Sequence, residues 1–458
     1  MAFADMDFDS FNMLRQAFFS PGAPIDTIEH LKGREKQLGQ INRCLTSIGR
    51  QLFIYGERGV GKTSLARTAA FQAPGYNFEP VYIGCDRQGT FYQLAAALID
   101  ELAGRMDQTQ QRTTSSKTTL LIKVLGYERG ESSLRIYPKF ESLSQFVQAL
   151  KALCEMAPKP PIVVIDELER LEGAHDRSLL ADFIRRVSDD KINVSLIVCG
   201  IAKSLTELIG DHPSSERSFS PIELKALRHD NLWEIVSSAA EAFKVDVPDG
   251  LVQRIGVISD GFPYYAHLIG EQLFWVMYEE RQIVHHCTAS HFQSAVNRAV
   301  AEALFTLRDK YDRATLKYRN TADYKHTMWS WVSTPTLSRQ VAEVYEKSYM
   351  PLVTRLKVEN RLTSHEFNSR TWHLTQESHA GVLKMQGGGW YEFSENMMRG
   401  YARLKALEDS VDLGHDIHTE DVELSGNGVS HEDLLRMPAV GRPDRLTRPY
   451  SRMSGRRK

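Results

Sequence analysis

Twenty-one residues, Gln51 to Phe71 (QLFIYGERGVGKTSLARTAAF), constrain this chain more than any other stretch. Leu52, Phe53, Ile54 and Tyr55 are apolar and β-prone, and predict a short buried strand. The pattern G-x-x-x-x-G-K-[ST] follows, filled by Gly56, Gly61, Lys62 and Thr63. Ser64 to Phe71 is rich in helix formers and predicts a helix. A strand, a glycine loop and a helix N-terminus in that order suit a phosphate group: the loop amides turn inward and the helix dipole adds positive potential. A glycine-rich turn with an exposed lysine would need neither the strand nor the helix. The expected nucleotide contacts are Gly56, Glu57, Arg58, Gly59, Val60, Gly61, Lys62, Thr63 and Ser64. Lys62 meets the β/γ-phosphates and the Thr63 hydroxyl ligands Mg²⁺. Arg58 lies in the loop without a motif role for its side chain.

At 458 residues the chain is too long for one compact core, and its length predicts about three domains. A net charge of -2 excludes a wholly electrostatic nucleic-acid binder, though not a local basic patch. No run of 18 apolar residues occurs, so no membrane partner is expected. The N-terminal MAFADMDFDSFNML carries acids and no basic region, unlike a signal peptide. Cys44, Cys85, Cys154, Cys199 and Cys287 are scattered without metal-like spacing, which fits reduced thiols in a cytoplasm. His285, His286 and Cys287 are adjacent, and adjacent residues on an extended or helical segment do not converge on one ion.

Before the glycine loop, Phe18 to Leu45 reads as a turn-rich segment and an amphipathic helix, with Leu38, Ile41 and Leu45 at helical spacing. After it come a strand at Val81–Cys85, a helix at Phe91–Leu102, a polar loop or disordered insertion at Gln108–Lys117 and a helix at Phe146–Met156. Ile162 to Ile165 is a bare apolar run, as expected of a parallel strand buried on both faces, and it ends in Asp166-Glu167. Acids at that end lie where doubly wound sheets bind ligands. Asp166 can hold the Mg²⁺ shell and Glu167 can polarise an attacking water. The alternative is a strand ending in a helix-capping acid pair. Asn193–Cys199 predicts another buried strand, followed by Gly200-Ile201-Ala202-Lys203-Ser204, and Phe219–Leu224 a fifth. Arg217 precedes the fifth strand in a polar loop, and spacing alone does not separate a catalytic arginine from a solvated one.

The order of Gly33-Arg34-Glu35, glycine loop, Asp-Glu strand, G-I-x-x-S turn and S-x-x-R loop resembles the AAA+ ATPases of the initiator type, the archaeal origin-binding and eukaryotic helicase-loader proteins with their bacterial relatives. The similarity covers roughly residues 20–405. It implies ATP and Mg²⁺ as cofactors, backbone near Ile25 and Ile28 over the base, Lys203 or Ser204 at the first sensor, and catalytic roles for Glu167 and for Arg217 as an arginine finger. The usual first-sensor asparagine is missing. An arginine finger implies self-association through the ATP site. Four helices from Leu232 to Leu304 are similar to the family's helical lid. Where initiators usually carry a second-sensor arginine, this chain has Tyr264 and Tyr265 after Gly261-Phe262-Pro263, a G-x-P form closer to the signal-transducing STAND ATPases. Without that arginine, lid closure is less coupled to the γ-phosphate, and slow turnover or stable nucleotide retention is expected.

The fold expected is α/β: a P-loop NTPase parallel sheet (the AAA+ core) over residues 1–225, a helical lid over 226–305 and a winged-helix domain over 306–405. In the last, Tyr324–Val332, Ser338–Tyr349 and Ser364–Glu377 predict helices, and Val382–Met385 with Trp390–Phe393 a two-stranded wing. Arg370, Lys384, Arg399, Arg403 and Lys405 against Glu366, Glu377, Glu392 and Glu395 leave a weak basic footprint for DNA. A protein partner is the rival. Residues 406–458 predict a disordered tail, acidic up to Leu435 and basic from Val440, whose basic end could touch DNA or its own acidic half. Three functions follow: an ATP-dependent DNA-associated initiator or loader, a STAND-like signalling or defence switch whose last domain binds protein, or a nucleotide-stabilised scaffold with negligible turnover.

Overall fold

The computed structural model describes residues 6–25, 27, 30–47, 51–73, 79–110, 139–201, 218–280 and 283–413. The chain opens with α1 (Phe8–Phe18) and α2 (Glu35–Leu45). Then follow β1 (Gln51–Gly56), α3 (Lys62–Phe71), β2 (Val81–Gly84), α4 (Phe91–Gln110), α5 (Leu143–Met156), β3 (Ile162–Asp166), α6 (Ala174–Asp189), β4 (Ser195–Gly200) and β5 (Phe219–Leu224). The five strands pair in parallel in the order β2-β3-β4-β1-β5.

The apolar runs explain why these segments are strands. Successive side chains point to opposite faces, so a strand covered on both sides must be apolar at every position. In β1, Leu52 and Ile54 pack toward α3 while Phe53 packs toward α4, α5 and α6. In β3, Ile162 and Val164 share the first face, and Val163 and Ile165 the second. Burying these side chains is worth about 1.5–3 kcal/mol each relative to exposure. With β4 between them, the C-terminal ends of β1 and β3 open on one crevice, where open α/β sheets take their ligands.

Beyond the sheet lie α7 (His229–Phe243), α8 (Asp249–Ser259), α9 (Pro263–Tyr278) and α10 (Ala289–Glu302). α1 docks on this bundle. Phe11 stacks on Tyr278 at 3.9 Å between ring centroids and meets Phe243 and Trp275. The C-terminal part holds α11 (Phe305–Thr315), α12 (Thr321–Trp331), β6 (Ser338–Gln340), α13 (Val341–Val344), a π-helical turn Tyr345–Tyr349, α14 (Met350–Arg355), α15 (Ser364–His373), β7 (Leu383–Gly387), β8 (Trp390–Phe393) and α16 (Met397–Glu408). Its sheet is three-stranded and antiparallel, in the order β6-β8-β7.

Two expectations are corrected here. Ser338–Gln340 is not the start of a helix but an edge strand on β8, with Arg339 opposite Tyr391. Leu337, Val341 and Val344 mimic helical spacing, yet the buried Arg339 guanidinium donates to Ser330 O and Ser348 Oγ and holds those residues extended. The tail expected from residue 406 begins inside α16, and Val411 and Leu413 beyond that helix are buried. The expected insertion at Gln108–Lys117 falls mostly outside the described residues, and the basic tail end wholly so.

All five cysteines are free and buried. Burial pushes Cys85, Cys154 and Cys287 up to about 12. No helix among the described residues is long and apolar enough to cross a membrane.

Candidate functional site

The glycine loop leaves the end of β1 and closes at Gly61, the N-cap of α3, with φ 94°. Gly59 has φ 82°. Both angles are in the left-handed region that a Cβ disfavours, so the loop needs glycine at these two points. Lys62 is only 9% exposed. Its Nζ donates to Gly56 O at 3.1 Å and Glu57 O at 2.9 Å, which curls the ammonium back over the loop. Burial pulls its pKa down, against the nearby Glu169 and Asp166.

Asp166 ends β3 and reaches α3 directly. Thr63 Oγ1 donates to Asp166 Oδ2 at 2.6 Å, and Glu167 N donates to Asp166 Oδ1 at 2.8 Å. A hydroxyl and a carboxylate at this separation, between loop and acidic strand end, are hard oxygen donors of the kind Mg²⁺ takes. The residues present therefore fit that ion.

Glu167 adopts the left-handed conformation, φ 57° and ψ 43°, at the mouth of a 3₁₀ turn, Leu168–Arg170. A side chain there costs on the order of 1 kcal/mol, and such outliers gather at functional sites. Its Oε2 pairs with Arg170 Nη1 at 2.8 Å. Burial raises the pKa of the Glu167 carboxyl; Arg170 opposes that shift and Asp166 adds to it.

The segment before α2 is sewn to α3. Ile25 N donates to Ser64 Oγ at 3.1 Å and Thr68 Oγ1 donates to Ile25 O at 3.2 Å. Ile28 lies outside the described residues, as do Lys203, Ser204 and Arg217. Arg34 does work that its motif did not reveal. Its Nη2 donates to Val60 O and to Lys225 O, both at 2.8 Å, and so ties the loop to the exit of β5. Burial draws its pKa to about 10.

Tyr264 and Tyr265 both make bonds within the protein. Tyr264 Oη accepts from Leu304 N at 3.0 Å. Tyr265 is fully buried, and its hydroxyl donates to Met397 O at 2.5 Å. The C-terminal part thereby reaches the glycine loop. Asn396 Nδ2 donates to both Glu57 carboxylate oxygens at 3.0 Å, and Arg58 Nη1 lies 3.6 Å from Glu395 Oε1. A Cβ on Gly59 would fall 2.4 Å from Met397 Sδ. Glu57 and Asn396 are 339 residues apart, and no local pattern could have paired them.

The basic residues counted as a DNA footprint are already engaged. Arg370 pairs with Asp323 at 3.3 Å, Lys384 with Glu392 at 2.6 Å and Lys405 with Glu408. Arg399 and Arg403 are buried against Asp260, at 2.5 and 2.7 Å. These five therefore supply no unpaired cation to a phosphate backbone. Exposed Trp372, Met385 and Trp390 stand on the same domain.

Residues 30–198 match the family model described as the AAA ATPase domain. No curated protein matches the chain. Among solved structures, the Walker-type ATPase of Pyrococcus abyssi is similar at 17% identity and a TM-score of 0.49, over 83% of this chain and 99% of that one. The Orc1 protein of Aeropyrum pernix, solved in complex with DNA, is similar at 17% identity and a TM-score of 0.44, over 81% and 92%. Cdc6p of Pyrobaculum aerophilum is similar at 15% identity and a TM-score of 0.41, over 87% and 99%.

Proposed function

We propose that this chain, with an AAA ATPase domain matched over residues 30–198, binds Mg·ATP and hydrolyses it. It couples that cycle to assembly and to a partner held by a winged-helix domain over residues 306–405. The observation that carries the reading is the 2.6 Å bond between Thr63 and Asp166, which joins a glycine loop to an acidic strand end. The amides at the start of α3 and the Lys62 ammonium receive the β/γ-phosphates. Thr63 and Asp166 hold the metal, which when bound neutralises charge developing on the phosphoryl oxygens. Glu167 orients the attacking water, and its raised pKa suits a group that takes up a proton.

Glu167→Gln keeps the side chain's shape and removes its charge. The expected result is ATP affinity close to that of the wild type with a single-turnover rate at least about tenfold lower, ~1.4 kcal/mol. An unchanged rate would take the catalytic role away from Glu167.

Arg217 is proposed as a finger supplied to a neighbouring subunit. Arg217→Ala should bind ATP normally and hydrolyse it poorly, and mixing it with Glu167→Gln should restore part of the activity. A mixture that stays inactive, with activity per subunit flat on dilution, refutes a shared site.

A second reading is favoured by the Tyr265–Met397 bond. The position expected to sense phosphate is engaged with the C-terminal domain instead. That supports a slow, STAND-like switch in signalling or defence, with protein rather than DNA on the winged-helix domain. DNA contact then falls to the basic residues after Val440. Gel-shift titration across salt, with the full chain and with one ending at Leu413, separates the two partners: a shift by the shorter chain favours DNA on the winged helix.

A further inference from the structure

We infer that Arg34 is a positioning residue of the phosphate site: from behind the loop it sets the Val60–Gly61 peptide so that the Gly61 amide faces an incoming phosphate. The inference rests on the nucleotide reading above. Arg34 is 5% exposed, and among the described residues no carboxylate pairs with it. Its Nη2 lies instead between two carbonyl oxygens, Val60 O and Lys225 O, at 2.8 Å from each.

The direction of one carbonyl decides the direction of one amide. A trans peptide points its C=O and its N–H to opposite sides. Val60 O is turned toward the β5 side of β1, where Lys225 leaves that strand. The Gly61 N–H of the same peptide therefore points the other way, toward β4 and β3, where Thr63 meets Asp166. That amide donates to no described residue. Val60 is anchored by its side chain, 1% exposed, but the peptide after it can turn over, because Gly61 accepts either sign of φ. A turned-over peptide would present the Val60 carbonyl to the phosphate, a repulsion in place of a hydrogen bond. Arg34 holds the plane in the useful sense.

Arg34 is itself held. Gly33 has φ 69°, and a Cβ there would fall 2.5 Å from the Asn231 side chain, so the segment lies close against α7. Lys32 Nζ lies 3.7 Å from Glu234 Oε1 on the same helix. A charged donor on a carbonyl also polarises the peptide and makes its N–H a stronger donor. The effect is reciprocal, since an anion on Gly61 N–H makes Val60 O a better acceptor for Arg34. Phosphates in the loop gain alike in the ground state and the transition state. The residue therefore governs affinity and not chemical rate.

Displacement of a fluorescent ADP analogue from the full chain tests this, with ADP and with inorganic pyrophosphate as competitors. Pyrophosphate has no base, so it reports on the loop alone. Arg34→Met should bind both about tenfold more weakly, with kcat at saturating ATP within about twofold of wild type. Arg34→Lys keeps a charged donor and should recover most of the loss. Three results overturn the role of Arg34 and leave the nucleotide site standing. They are wild-type pyrophosphate affinity in Arg34→Met, a kcat that falls as far as the affinity, and an Arg34→Lys no better than Arg34→Met. A wild-type chain that binds neither competitor overturns both readings. Should Arg34→Met fail to fold, NMR of the wild type with guanidino-¹⁵N arginine decides. Pyrophosphate should move the Arg34 Nη2 proton signal downfield and slow its exchange with water. A signal that stays in place overturns the inference.

Discussion

Lys62→Ala should lose ATP binding by about a thousandfold, or ~4 kcal/mol, in a titration with labelled nucleotide. The size follows from the setting. The ammonium is 9% exposed, and its present partners are two loop carbonyls, which an incoming phosphate replaces with charged oxygens. Hydrogen bonds between charged partners are about twice as strong as neutral ones, and burial leaves no water to substitute for the missing cation. Wild-type affinity in a variant whose circular dichroism matches that of the parent would remove Lys62 from the phosphate site. Should the loop also lose its curl, the helix α3 signal would fall with it, and the two causes are told apart.

Asp260→Ala should cost about 3–5 kcal/mol of stability in urea unfolding, the usual price of deleting one partner from a buried ion group. Asp260 is the single carboxylate between two buried guanidiniums. Arg399 Nε and Arg403 Nη1 donate to its two oxygens, and the remaining donors reach Val257 O, Val332 O, Thr334 O and Thr336 O. Without the aspartate, two cations stay buried among carbonyls alone. Burial pushes the Asp260 carboxyl up, but Arg403 and Arg399 together outweigh it and hold its pKa below the usual aspartate value. A lowered carboxyl pKa stabilises the fold above the unfolded value, near 4, and loses that contribution as pH falls through the folded one. The gap between wild type and Asp260→Ala should therefore narrow on acidification below about pH 4. A cost under about 1 kcal/mol at neutral pH would mean that the packing around α16, not the ion group, joins these helices.

Much of the nucleotide core was legible because its signals are local. Gly56 to Thr63 is a contiguous motif, β3 is a bare apolar run ending in Asp166, and β5 falls at the expected Phe219–Leu224. The four helices between His229 and Glu302 are likewise where their periodicity put them, with ends shifted by a few residues. What local pattern could not convey is pairing across the chain. Arg399 and Arg403 look like solvent-facing cations on a helix, and only the fold brings Asp260 to them. Ser338–Gln340 reads as helix until β8 is beside it. Glu395-Asn396-Met397 carries no motif, and its contact with the loop depends on the placement of the whole C-terminal domain.

Both ends of the described chain dock on the same bundle. α1 lays Phe11 against Phe243, Trp275 and Tyr278, while α16 closes on α8 and α10 from the far end of the sequence. During synthesis the sheet has all five strands once residue 224 has left the ribosome. Helix α1 must wait for residue 278 before its aromatic partners exist, and the bundle waits for residue 403 before Asp260 meets both its arginines. The five-stranded sheet is therefore complete before the helical bundle that both α1 and α16 join.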